Sequence, residues 1–366
     1  MKVLWLTNIP SPYRVDFFNE MGKNCDLTVL FEKGASDERD ESWKNYRTEH
    51  FRAVILKGKS IGADGAVCPS VLKYLKRDRY DKIVVTNFSG ITGLMAVFCL
   101  RAKRMRYYVE SDGGFAKNGR GIKEKLKRFV ITGAAGCFST GKIHDDYYMQ
   151  YGAKSENIYR YPFSSLKAND IEAEILGQGE KQAIREKLGM KENRIVVSVG
   201  RFIYQKGFDV LLNAVPFLPK DVGIYIIGGK PICEYLELKE RFNATNVHFL
   251  DFKPKEELKE YYKAADMFVL PTRGDVWGLV INEAMACGLP VVTTDKCIAG
   301  LELIRKPCLG RIVPTDDAEA LSLAICDVLF ADAKNSAQVL STIRSYTVEK
   351  MAERHFEIWK NNDSER

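Results

Sequence analysis

Two cations and two carboxylates in the second half of the sequence have the types and spacing needed to handle a diphosphate ester. Arg201 and Lys206 stand in VSVGRFIYQKGFD, where the apolar run Ile195 to Val199 ends and a helical pattern begins at Gly207. Cations converging on a leaving diphosphate stabilise the charge that develops as its bond to carbon breaks. Asp275 and Glu283 stand in PTRGDVWGLVINEAMACGLP, on either side of Trp277-Gly278. That stretch reads as a strand (Met267 to Leu270) stopped at Pro271, a polar turn, and a helix opening near Trp277-Gly278. Gly288 and Pro290 end the helix before a strand from Val291 to Thr293. The N–H groups and dipole of a helix opening suit a phosphate. Eight helical positions would span ~12 Å, comparable to a ribose–diphosphate–hexose. Singly, each acid is an ordinary capping or solvated residue. Together with the cations they point to a nucleotide sugar.

The elements that must position these residues alternate between strand and helix. In the first half, Val3 to Thr7, Asp26 to Phe31, Ala53 to Leu56, Lys82 to Val85, Arg106 to Val109, Gly136 to Ser139 and Ile158 to Tyr161 read as strands. Arg14 to Met21, Gly90 to Arg101, Gly121 to Ile131 and Lys142 to Tyr151 read as helices, and Val71 to Tyr80 has helical spacing. Polar residues from Ser164 to Lys191 form a linker entering a helix near Gly179 to Leu188. A second series follows, with strands Ile195 to Val199, Gly223 to Ile227, Val247 to Leu250, Met267 to Leu270, Val291 to Thr293 and Arg311 to Val313. Helices Gly207 to Val215, Cys233 to Phe242 and Lys255 to Ala264 separate them, and further helices cover Asp317 to Lys360. The pattern predicts an α/β chain of two doubly wound, Rossmann-like domains facing a cleft. The expected domains are 1–165, joined by the C-terminal helix 347–366, and 166–346.

Composition removes several classes. At 46% apolar and 28% charged the chain is that of an ordinary globular protein. No window approaches the ~18 apolar residues of a membrane span, and MKVLWLTNIPSPY reads as a first core strand rather than a signal peptide. Nine scattered cysteines without a C-x-x-C pair favour reduced thiols and a cytoplasmic location. The four histidines are far apart and no D-x-D triplet occurs, so no metal or other cofactor is expected. NIPSPY after the first strand lacks the G-x-G-x-x-G turn of a nicotinamide enzyme.

GRFIYQKG together with DVWGLVINEAMACGLPVV resembles the donor-domain signature of family-four glycosyltransferases, the retaining enzymes of GT-B fold. NIPSPYRVDFFNEM, ESDGGF and YGAKSENIYRYPFSS resemble the N-terminal half of polysaccharide-assembling members. The resemblance implies that Gly200, Arg201 and Lys206 hold the donor diphosphate with main-chain amides of Trp277, Gly278 and Leu279. It implies that Glu283 binds ribose hydroxyls, that Asp275 contacts the transferred sugar, and that the base lies against Phe252-Lys253. The acceptor side falls on Asn8, Pro12, Tyr13 and Arg14. Asp275 is one methylene shorter than the family's Glu. The Glu110-Ser111-Asp112-Gly113-Gly114 turn stands where many members carry a histidine facing the reacting sugar, which makes Asp112 a candidate active-site residue.

Arg101 to Arg128 carries ten Lys and Arg against three acids, a surplus equal to the +7 charge of the whole chain. Ile122, Leu126, Phe129 and Val130 recur within it at helical spacing. The belt reads either as an amphipathic helix with a solvated basic face or as a surface for anionic lipid. No nucleic-acid motif accompanies it. The expected function is a membrane-peripheral glycosyltransferase on the inner face of the cell membrane, taking a nucleotide-sugar donor and a glycan or lipid-linked acceptor. The alternatives are a sugar-nucleotide epimerase, a phosphorylase, and a non-catalytic sensor or membrane scaffold.

Overall fold

Continuous apolar runs such as VLWL and IVVSV cannot tolerate water on either face, so they form parallel strands covered on both sides. The computed structural model describes residues 1–35, 46–116, 119, 121–331 and 336–364. The chain divides into two compact units, Met1–Ser165 with Thr347–Arg366, and Leu166–Tyr346.

The first unit holds β1 (Lys2–Thr7), β2 (Asp26–Phe31), β3 (Arg52–Ile55), β4 (Lys59–Ile61), β5 (Gly65–Val67), β6 (Lys82–Val85), β7 (Tyr108–Glu110), β8 (Gly136–Ser139) and β9 (Ile158–Arg160). Its parallel sheet has the order β3-β2-β1-β6-β7-β8-β9, and β4 pairs with β5 as a separate antiparallel ribbon. β1 is an interior strand, with Trp5 opposite Val29 of β2 and Val84 of β6. Helix Pro12–Gly22 begins on a proline, whose missing N–H costs nothing at that position, and buries Val15, Phe17, Phe18 and Met21. The C-terminal helix Val348–Ser364 returns to this unit. Its His355 and Trp359 rings lie 5.6 and 6.4 Å from Trp5, which also meets Phe17 at 5.4 Å.

The second unit holds β10 (Arg194–Val199), β11 (Val222–Ile227), β12 (Val247–Leu250), β13 (Met267–Leu270), β14 (Val291–Thr294) and β15 (Gly310–Val313). Their order is β12-β11-β10-β13-β14-β15, all parallel. The winding direction reverses between β10 and β13. At such a switch point the connections leave to opposite faces and open a crevice at the carboxyl ends of the strands. The loops that begin at Gly200 and Pro271 emerge there, side by side.

The structure departs from the sequence pattern in three places. Val71 to Tyr80 is no helix: a 3₁₀ turn over Pro69–Lys73 gives way to bends in which Asp78 takes φ +57°. Arg77 there donates to the Lys103 carbonyl at 2.8 Å, and Arg79 stacks over Tyr74 and Tyr80. The β4–β5 ribbon and helix Ile298–Leu303 had no counterpart in the pattern.

Candidate functional site

Lys206 closes a 3₁₀ turn, Tyr204–Lys206, that follows β10. Gly207 ends the turn at φ +68°, and a Cβ there would lie 2.0 Å from the Pro271 carbonyl oxygen. Only glycine allows both the left-handed backbone and this approach. The two switch-point loops are therefore in backbone contact. Hydrogen bonds reinforce the junction: the Arg273 backbone N–H and the Thr272 hydroxyl both donate to the Gln205 carbonyl, at 2.8 and 2.9 Å, and the Gln205 side-chain amide donates to Gly274 O at 2.6 Å.

Arg273 is the clamp. Its guanidinium donates to the Tyr204 carbonyl at 2.7 Å, to both oxygens of Asp209 at 2.9 and 2.5 Å, and to Asp316 at 2.6 Å. It also stacks over the Tyr204 ring, 3.8 Å from its centre. Its hydrogen bonds to Asp209 drive its pKa upward against burial, so it stays charged. Sequence reasoning did not single out Arg273, Asp209 or Tyr204, although all three lie in or beside the quoted motifs. Nothing local signals a pairing across 64 residues.

The clamped loops bring the predicted cation and carboxylate together. Lys206 Nζ donates to Asp275 Oδ2 at 2.6 Å, and the two side chains are 18% and 19% exposed. The Asp275 backbone is pinned by its N–H to Lys296 O at 2.9 Å. Trp277 is buried and donates from Nε1 to Asn282 Oδ1 at 2.8 Å, and it stacks on Tyr346. These contacts fix the loop as it enters helix Leu279–Ala286, whose cap Gly278 takes φ +105°. Glu283 lies half-buried on that helix and accepts from the Tyr262 hydroxyl at 3.4 Å. Gly200 follows β10 and donates from its N–H to Ile227 O at 2.9 Å. Arg201 is exposed. Phe252 is half exposed on the turn after β12, and Lys253 beside it pairs with Glu257 at 3.3 Å.

The first unit gathers its candidates differently. Arg14 is 2% exposed, with Nη1 2.7 Å from Glu110 Oε1 and its other terminal nitrogen on Asp112. The Tyr13 hydroxyl donates to Asp112 Oδ2 and the Tyr161 hydroxyl to Glu110 Oε1, both at 2.6 Å. Burial and the Asp112 charge hold the Tyr13 phenol protonated. Burial opposes the charge on Arg14, but Asp112 and Glu110 outweigh it and raise its pKa. Arg14 thus acts on Asp112 and Glu110 rather than on solvent, and Asp112, 31% exposed, is the more open of its two carboxylates. Pro12 is the first residue of its helix, and half-buried Asn8 precedes it in the same loop.

His144 holds the Asp112 turn. Its Nδ1 accepts the Thr140 N–H at 3.2 Å, so Nε2 carries the proton and donates to Ser111 Oγ at 2.9 Å. Burial pushes its pKa down to about 3. A Ser–His pair with this tautomer cannot activate the serine, so the pair is a brace. Within the basic belt, Lys117 and Arg120 lie outside the described residues. Arg101, Arg104, Arg106, Lys123, Lys125 and Arg128 are exposed, and Phe98 and Ile122 lie open beside them at 49% and 76%. No described helix is long and apolar enough to cross a membrane.

Two Rossmann-like units, the second with cations and carboxylates at its switch point, define the GT-B architecture. A crystal structure of Anabaena Alr3699/HepE in complex with UDP and glucose superposes with TM-score 0.75 at 17% identity, over 99% of this chain and 100% of that one. Residues 193–330 match the family model of the group 1 glycosyl transferases. This segment contains every residue of the donor-side signature. The chain is 36% identical over 169 residues to a GDP-mannose-dependent α-(1-6)-phosphatidylinositol monomannoside mannosyltransferase of Mycolicibacterium smegmatis, covering 42% of this chain and 43% of the relative. It therefore spans less than half of that enzyme. A putative teichuronic acid biosynthesis glycosyltransferase, TuaC of Bacillus subtilis, is 24% identical over 282 residues, 75% of this chain and 68% of the relative.

Proposed function

We propose that the protein is a retaining glycosyltransferase that moves a sugar from a nucleoside-diphosphate sugar to a glycan or lipid-linked acceptor, without a metal, in surface polysaccharide or glycolipid assembly. The observation that carries this reading is the junction of the Lys206 turn and the Asp275–Glu283 stretch at one switch point, inside the segment of group 1 family type. Arg201 and Lys206 supply positive charge where the leaving diphosphate gathers negative charge. The amides opening helix Leu279–Ala286 add a fixed dipole. Glu283, oriented by Tyr262, accepts from ribose hydroxyls, and Asp275 accepts from hydroxyls of the transferred sugar. The relatives' names support a glycan or lipid acceptor. The exposed basic belt with Phe98 and Ile122 suits an anionic lipid surface that would present one.

The test begins with calorimetry against UDP-, GDP- and ADP-sugars. Glu283→Ala is expected to weaken binding of the preferred donor by about tenfold, the worth of one charge-assisted hydrogen bond; unchanged affinity removes Glu283 from the site. Product analysis on vesicles containing phosphatidylglycerol, with chelator present, then reads transfer, anomeric configuration and membrane attachment together. Donor binding without transfer to any acceptor would make the protein a sensor rather than an enzyme.

A further inference from the structure

Lys206 and Asp275 have separate tasks in the donor reading, one on the diphosphate and the other on the sugar. In the structure each is the other's partner, at 2.6 Å. Both ends are built in. Arg273 holds the Tyr204–Lys206 turn through the Tyr204 carbonyl. The Lys296 carbonyl and the Ile298 N–H hold the Asp275 backbone, at 2.9 and 3.3 Å. A diphosphate must compete with Asp275 for Lys206, and sugar hydroxyls must compete with Lys206 for Asp275. An intact nucleotide sugar offers replacements to both groups. A nucleoside diphosphate offers one only to Lys206, and it brings its own negative charge close to a carboxylate left without its cation.

We propose that the Lys206–Asp275 pair discriminates donor from product: it exchanges partners when a nucleotide sugar binds and penalises the nucleoside diphosphate that remains after transfer. This rests on the donor-site reading above and adds that Asp275 acts against the product as well as for the sugar. Two charges of like sign near 4–6 Å repel appreciably at the effective dielectric of a partly exposed site. The pair therefore favours product release.

The experiment is calorimetric titration of wild type and Asp275→Asn with UDP, GDP and ADP and with the matching nucleotide sugars. Asn keeps the size and one acceptor oxygen but removes the charge. Asp275→Asn should bind the cognate nucleoside diphosphate about tenfold more tightly than wild type, a gain of ~1.4 kcal/mol, and should gain less or lose affinity for the nucleotide sugar. Steady-state product inhibition should strengthen by the same factor. Nucleoside diphosphate affinity that is unchanged or weaker in the variant overturns this inference and leaves the donor reading standing. If wild type binds none of these ligands, the donor reading falls and takes this inference with it.

Discussion

Replacing Arg14 by methionine measures what the first unit invests in its buried charges. The guanidinium is 2% exposed and faces Glu110, which is wholly buried, and Asp112, which is 31% exposed. Methionine retains much of the alkyl volume and removes the only cation that pairs with these acids among the described residues. Glu110 then keeps the Tyr161 hydroxyl on one oxygen, while Oε2 already has no hydrogen-bond partner. Removing one member of a fully buried ion pair costs about 3–5 kcal/mol, because the other charge is left uncompensated. The Asp112 leg reaches solvent and adds at most about 1 kcal/mol. A loss of ~4 kcal/mol is therefore expected, a large fraction of the 5–15 kcal/mol typical of a domain. Hydrogen exchange in graded urea reads it unit by unit: peptides over Tyr108–Glu110 should lose protection while those over Met267–Leu270 keep it. Adding Glu110→Gln should restore most of the loss, since the uncompensated charge is gone. A loss below 1 kcal/mol, or a double variant no better than the single one, would refute the reasoning.

Two further outcomes follow from the geometry. Gly207→Ala places a Cβ 2.0 Å from Pro271 O at φ +68°, adding roughly 1–2 kcal/mol of backbone strain to the clash. Donor affinity, read by calorimetry, should drop at least tenfold as the Lys206 turn shifts; wild-type affinity would show that the junction yields. His144 and His355 are buried neutral, their pKa values lowered by burial to about 3 and about 4. Unfolded histidine protonates near pH 6.5, so between that pH and the folded values the unfolded chain binds more protons, and stability falls as pH falls. At pH 5 each histidine should cost the first unit about 2 kcal/mol relative to pH 7.5. Urea midpoints at the two pH values, with His144→Gln expected to flatten part of the slope, check this; a flat wild-type profile contradicts neutral burial.

Much of the fold was legible because strands covered on both faces are written as unbroken apolar runs. Asp26–Phe31, Lys82–Val85, Gly136–Ser139, Val247–Leu250 and Met267–Leu270 have the same bounds in the pattern and in the structure. What escaped was held by long-range contacts. The β4 strand, KSI, is exposed throughout and gives no alternation to read. Helix Ile298–Leu303 spans six residues, too few for a period to repeat. Val71 to Tyr80 has the spacing of a helix, but Arg77 bonds to Lys103 and Asp78 adopts a left-handed backbone, and these decide its path.

The site divides along the same line. Residue types announced Lys206 and Asp275 separately, but their contact depends on a backbone approach at Gly207, and the Arg273 clamp depends on Asp209 from the helix Phe208–Ala214 and Asp316 from the loop after β15. Arg14 and Arg201 make the point most sharply. Both leave a sheet at the carboxyl edge, and both read from sequence as ligand-facing cations. Arg201 is exposed, as the proposed diphosphate contact requires. Arg14 is buried because Glu110 and Asp112, nearly a hundred residues away, come up beside it at the end of β7. A cation between two carboxylates inside a protein has spent its charge on them. Tyr13 is likewise turned inward, its hydroxyl donating to the other oxygen of the same carboxylate.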